Sequence, residues 1–135
     1  MTPTRILIVD DNALFIEMAM HVLVAAGYSA EGAAGAEEAL RRIPVFKPGV
    51  ILMDIQMPGI DGMALTRQLK ADPATRAIVI LAYTAFAANG DELGLKAAGF
   101  DGYIAKPVEV TSLVAQIRFW QEGPASARAS HVVWP

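Results

Sequence analysis

The chain has 135 residues, 54% of them hydrophobic and 19% charged, which is far from the composition of disordered chains and enough for one domain that buries about two thirds of its unfolded surface. With no cysteine and only His21 and His131, a disulfide framework, a thiolate zinc site, an iron-sulfur cluster and a cysteine nucleophile are excluded, and little remains for a catalytic triad. Eleven Lys plus Arg against fourteen Asp plus Glu give a net charge of -3, the wrong sign for a general nucleic-acid binder.

In chain order, Ile6 to Val9 is a continuous aliphatic run, as expected of a strand covered on both faces, and it leads into Asp10, Asp11 and Asn12. Leu14, Met18, Val22 and Leu23 follow at helical spacing, a stripe expected to lie on the sheet. Ser29 to Ala33 is a weaker strand, placed at an edge, and Ala36, Ala39, Leu40 and Ile43 mark a second helix. Val50 to Met53 makes a third strand ending in Asp54, and Leu65 with Leu69 a helix closed by Asp72 and Pro73. Ile78 to Ala82 makes a fourth strand leading to Thr84, and Leu93 with Ala97 a helix ended by Gly99. Tyr103 to Ala105 is a fifth strand followed by Lys106 and Pro107, and Leu113, Ile117 and Trp120 a last helix stopped by Gly123 and Pro124. Strands that alternate with helices in this way predict an α/β, doubly wound parallel sheet. Residues 1–122 form that domain, and residues 123–135 are a C-terminal extension whose Val132, Val133 and Trp134 are expected to pack on the domain or on a neighbouring chain. The longest uncharged stretch, Ala77 to Gly90, is shorter than the roughly 18 residues of a membrane span. The Ile6 to Val9 run is too brief for a signal peptide, so the cytoplasm is the expected location.

In an open α/β sheet the binding crevice forms at the carboxyl ends of the strands, where the winding reverses. Asp10, Asp11, Asp54, Thr84 and Lys106 all fall at such ends. Three carboxylates in one crevice repel one another, so either a proton is retained or a cation compensates; hard oxygen ligands favour Mg²⁺. A carboxylate beside Mg²⁺, a lysine ammonium and a hydroxyl can accept a phosphoryl group to give an acyl phosphate. Asp54 stands alone in the middle crevice, before a loop containing Pro58, Gly59 and Gly62, and is assigned as phosphoacceptor. Asp10 and Asp11 are assigned as the metal-binding pair. Plainer readings exist for each piece: Asp11 or Asn12 as a helix N-cap, Thr84 as a β-branched strand residue, Lys106-Pro107 as a surface turn. Tyr103, Phe119 and Trp120 also read as packing residues, and His21 as a helix-face residue without a phosphate role. The joint arrangement favours the chemical reading.

Asp10-Asp11, Asp54 with Met57-Pro58 and Asp61-Gly62, Thr84-Ala85 and Lys106-Pro107, in this order and spacing, resemble the receiver domain of two-component response regulators over about residues 4–121. The resemblance implies a flavodoxin-like five-stranded sheet of order 2-1-3-4-5 and transfer of a phosphoryl group to Asp54 from a histidine kinase or histidine phosphotransfer protein. It implies Mg²⁺ held by Asp10, Asp11, Asp54 and the backbone carbonyl of Gln56, with Thr84 and Lys106 on the phosphoryl oxygens and a cis peptide between Lys106 and Pro107. Thr84 and Tyr103 match the switch positions, and the fourth helix, fifth strand and fifth helix form the surface that would meet a downstream protein. No direct contact with nucleic acid or membrane is implied; a homodimer is compatible with the resemblance.

Within that pattern Thr84 to Ala87 and Gly90 to Glu92 resemble single-domain regulators of the chemotaxis-regulator and DivK type and receivers fused to hybrid kinases. Tyr83 departs from the usual aliphatic residue, which predicts altered packing beneath the fourth helix. Gln56 and Phe86 occupy positions that tune acyl-phosphate hydrolysis in the family, and a bulky Phe86 predicts a long-lived phosphorylated state. Two alternatives compete. An aspartyl-phosphate phosphatase would place Asp-x-Asp at the first strand, where this chain has adjacent acids. A phosphate-independent interaction module would have no need of every chemical position being filled. No Gly-rich nucleotide-binding loop follows the first strand.

Overall fold

A computed structural model describes residues 3–55, 62–84, 92–105 and 109–122. Its elements alternate as β1 (Arg5–Val9), α1 (Ala13–Ala25), β2 (Ser29–Ala33), α2 (Ala36–Phe46), β3 (Val50–Asp54), α3 (Gly62–Ala71), β4 (Val79–Thr84), α4 (Glu92–Ala98), β5 (Gly102–Ala105) and α5 (Val110–Glu122). The strands form one parallel sheet in the order β2-β1-β3-β4-β5, as the alternation and the resemblance lead one to expect. Parallel strands covered on both faces need apolar side chains on both, and Ile6 to Val9 and Val50 to Met53 are all buried. The edge strand β2 is half-buried along most of its length.

Strand alternation sorts the core into two layers. Leu7, Val9, Ile51, Met53, Ile80 and Ala82 pack beneath α2, α3 and α4. Ile6, Ile8, Val50, Leu52, Leu81, Tyr83 and Ile104 pack beneath α1 and α5. Tyr83 therefore lies on the sheet face opposite α4, and the expected change of packing beneath the fourth helix is corrected: the ring stacks on Phe15 of α1, with centroids 4.6 Å apart and planes 11° from parallel.

The apolar stripe assigned to the first helix is also corrected. Ala19 and Leu23 are its buried residues, flanked by the half-buried Phe15, Ile16 and Met20. Leu14 and Met18 point outward, 65% and 43% exposed. Only Glu17 and His21 are polar among residues 13–25, so hydrophobicity alone leaves the rotational phase of this helix undetermined. Close approach to β2 helps to set it: a Cβ added to Gly32 would lie 2.3 Å from Cγ2 of Ile16. On α2 the polar and apolar faces are distinct, and Ala36, Ala39 and Ile43 are buried as their spacing predicts.

Candidate phosphoacceptor site

The strand order places the reversal of winding between β1 and β3, since β2 lies on one side of β1 and β3 on the other. The register pairs Val9 with Met53, so Asp10 and Asp54 leave the sheet side by side. The backbone N–H of Asp10 donates to the carbonyl of Ala33 at 3.0 Å, continuing the ladder one residue past β1. Its carboxylate then turns the chain, Oδ1 accepting from the backbone N–H of Asn12 at 2.8 Å. Asn12 caps α1 through Oδ1, which accepts from the backbone N–H of Phe15 at 3.1 Å. The N-cap is thus Asn12, and Asp11 is left to face the crevice mouth, where it is exposed.

Asp54 is positioned from below by α3. A Cβ on Gly62 would stand 2.8 Å from the Asp54 carbonyl oxygen and 2.9 Å from Cα of Ile55, so only glycine lets the start of this helix close on the end of β3. The sequence suggested Gly62 as a turn former; its contribution here is close approach.

Carboxylate oxygens of Asp10, Asp11 and Asp54 all lie within 4.8 Å of one another. Asp10 and Asp54 are 3% and 2% exposed. Like charges this close, two of them out of water, destabilise one another, and a small divalent cation taking one oxygen from each offsets that repulsion. Three hard oxygen donors around an open side suit Mg²⁺, which keeps waters and bridges to phosphate oxygens. The chain thus brings together all three acids that the sequence singled out.

Thr84 ends β4, in register with Ala105 of β5, so its backbone lies at the same carboxyl-terminal edge of the sheet. Its side chain, Gln56, Phe86, Lys106, Pro107 and residues 123–135 lie outside the described parts of the structure. Tyr103 is half-buried and touches both core layers. Its carbonyl accepts from Nε1 of Trp120 at 3.1 Å, and the two rings are 6.2 Å apart. Phe119 packs edge-on to Trp120 at 5.0 Å, and both contribute to the core of the α1 and α5 layer. His21 is exposed on α1. The stack of Phe15 on Tyr83, which joins the start of α1 to the strand residue before Thr84, had no signal in the sequence because its partners are far apart in the chain.

A doubly wound sheet with an acidic crevice at its winding reversal is the architecture of the response regulator receiver domain, whose family model matches residues 6–118, so the chain belongs to that family. Phosphorylation-dependent signalling in two-component systems is the general role of the family. The chain is 36% identical over 116 residues to the polar-differentiation response regulator DivK of Brucella anthropi, covering 86% of this chain and 94% of that protein. Among solved structures it is similar to the chemotaxis response regulator CheY4 of Vibrio cholerae, with a TM-score of 0.82 and 28% identity over 88% of this chain and 99% of the other. It is also similar to the signal receiver domain of a signal transduction histidine kinase from Syntrophus aciditrophicus, with a TM-score of 0.78 and 32% identity over 89% and 91% of the two chains. The resemblances to both free-standing receivers and kinase-fused ones therefore have counterparts among known proteins. No helix among the described residues is long and apolar enough to cross a membrane.

Proposed function

We propose that residues 1–122 are a receiver in which Asp54 accepts a phosphoryl group from the phosphohistidine of a sensor kinase or phosphotransfer protein. The convergence of Asp10, Asp11 and Asp54 within 4.8 Å at the winding reversal carries this reading. In the transfer, a carboxylate oxygen of Asp54 attacks phosphorus as the P–N bond breaks; the electron pair stays on the imidazole, which takes up a proton, and an acyl phosphate forms. Asp10, Asp11 and Asp54, with the Gln56 carbonyl, would hold Mg²⁺. When bound, the ion offsets charge on the transferring oxygens. Thr84 and Lys106 bind those oxygens in this scheme, with the Lys106–Pro107 peptide cis. Thr84 and Tyr103 couple the phosphorylated state to the surface of α4, β5 and α5, which presents itself to a downstream protein in the cytoplasm.

Acetyl phosphate should label the parent protein once per chain in the presence of Mg²⁺, and Asp54→Asn should lower labelling at least about 100-fold, as loss of a nucleophile requires. Equal labelling of Asp54→Asn overturns the assignment; continuous turnover of a generic phosphomonoester instead points to the phosphatase. Phe86 shields the acyl phosphate from water in this reading, so Phe86→Ala should shorten the lifetime of the labelled protein, measured by its decay after removal of donor.

A further inference from the structure

Asp11 reaches the crevice from a stretch of chain with no packed anchor of its own. Asp10 is buried, but Asp11, Asn12, Ala13 and Leu14 are all exposed, and the next side chain held by packing is Phe15. Its ring stacks on Tyr83 of β4, with centroids 4.6 Å apart, and Tyr83 stands opposite Asp54 in the register of β3 with β4. Two hydrogen bonds carry the seat of Phe15 back toward the acids: its N–H donates to Oδ1 of Asn12 at 3.1 Å, and the Asn12 N–H donates to Oδ1 of Asp10 at 2.8 Å. The neighbouring Ile16 rests on Gly32 of β2. The start of α1 is therefore held on β2 by one side chain and on β4 by the other, and it straddles β1 and β3 between them.

We propose that Phe15 and Tyr83 are positioning residues for the metal site: their stacked rings fix the start of α1 over the ends of β1 and β3, and so hold Asp10 and Asp11 at the spacing from Asp54 that Mg²⁺ requires. The inference rests on the phosphoacceptor reading above and names what keeps that crevice in shape. Like charges drift apart unless the chain that bears them is held, and the exposed bridge of Asp11 to Leu14 is held only at its two ends. Aromatic rings have a preferred stacking offset, so the pair fixes a lateral position that an aliphatic side chain filling the same space leaves free. Mg²⁺ demands near-ideal octahedral geometry, so a displaced Asp11 weakens binding even where the fold survives.

Magnesium alone, titrated into the full-length protein and followed through the amide signals of residues 10–12 and 54, reads the site without any phosphoryl transfer. Phe15→Leu and Tyr83→Leu keep an apolar side chain and remove the stack; each should weaken magnesium binding about 10-fold, as loss of a group that orients metal ligands does. The double variant should be little weaker than either single one, because the two rings act as a unit. Tyr83→Phe keeps both rings and should bind as the parent does. Ile117→Val, in the same core layer, should lower Tm and leave the dissociation constant in place, which separates positioning from general loss of stability. Phe15 is only half-buried, so Phe15→Leu carries the test if Tyr83→Leu does not fold. Parent-like affinity in the leucine variants overturns the proposal, as does weakening by Ile117→Val or Tyr83→Phe as large as that by Phe15→Leu. If the leucine variants bind magnesium weakly while acetyl phosphate labels Asp54→Asn as well as the parent, the positioning role stands and the phosphoacceptor assignment alone falls.

Discussion

The two edges of the sheet use carboxylates in opposite ways. At the amino-terminal edge of β4 and β5, Oδ2 of Asp101 accepts from Nζ of Lys70 at 2.8 Å and from the Ile80 backbone N–H at 2.9 Å. The same ammonium donates to the carbonyls of Ile78 and Arg76. There the charge is matched where it stands, and α3, β4 and the start of β5 are tied together. At the carboxyl-terminal edge of β1 and β3, three carboxylates are drawn within 4.8 Å of one another. The first arrangement ties elements of the fold together; the second gathers like charges where a cation can be held.

The sharpest way to break this contrast is to remove one acid from each edge. Asp101→Ala should cost about 2 kcal/mol in urea unfolding, because it takes the partner of the Ile80 backbone N–H and the counter-charge of an ammonium that keeps its two carbonyl acceptors. Magnesium at ten times its dissociation constant should then stabilise the parent by about 1.4 kcal/mol through mass action and leave Asp11→Asn unchanged, a difference readable as a shift in Tm. Without magnesium, Asp11→Asn should be as stable as the parent or more stable by about 0.5 kcal/mol, since one of three like charges is gone from the crevice mouth. A loss for Asp11→Asn as large as that of Asp101→Ala would erase the distinction between the edges.

The smallest effect belongs to α2. Glu38 accepts from the Ala34 backbone N–H at 3.0 Å and pairs with Arg42, and the Ala34 bond, then Arg42, holds its carboxyl below the ordinary glutamate range. Because the native value is lowered, this contribution is complete above the unfolded value and is lost as pH falls through the native one. Glu38→Gln should cost about 0.5 kcal/mol at pH 7, the pair being open to solvent, and the difference from the parent should vanish in acid, as denaturant titrations at the two pH values would reveal.

Much of this architecture is legible in the amino-acid sequence. Buried parallel strands must be apolar on both faces, so Ile6 to Val9 and Val50 to Met53 stood out, and the acids that end them followed. The orientation of α1 was not legible, because a helix with only Glu17 and His21 to mark its wet side has no preferred rotation in a hydropathy pattern; Gly32 and the Phe15 to Tyr83 stack are long-range contacts. The Lys70 to Asp101 tie joins residues 31 apart, and neither residue carries a local signal of the other. Gly62 was visible as a glycine but not as the residue that admits α3 to the back of Asp54.

Trp120 lies against Gly102 so tightly that a Cβ there would fall 2.3 Å from the indole ring, and its N–H is held by the Tyr103 carbonyl. The indole is thus clamped to the strand that carries Tyr103. Once Trp134 is replaced by phenylalanine, Trp120 is the single tryptophan, and a change of its selectively excited emission on addition of acetyl phosphate reads out rearrangement of β5 against α5 with no dye attached.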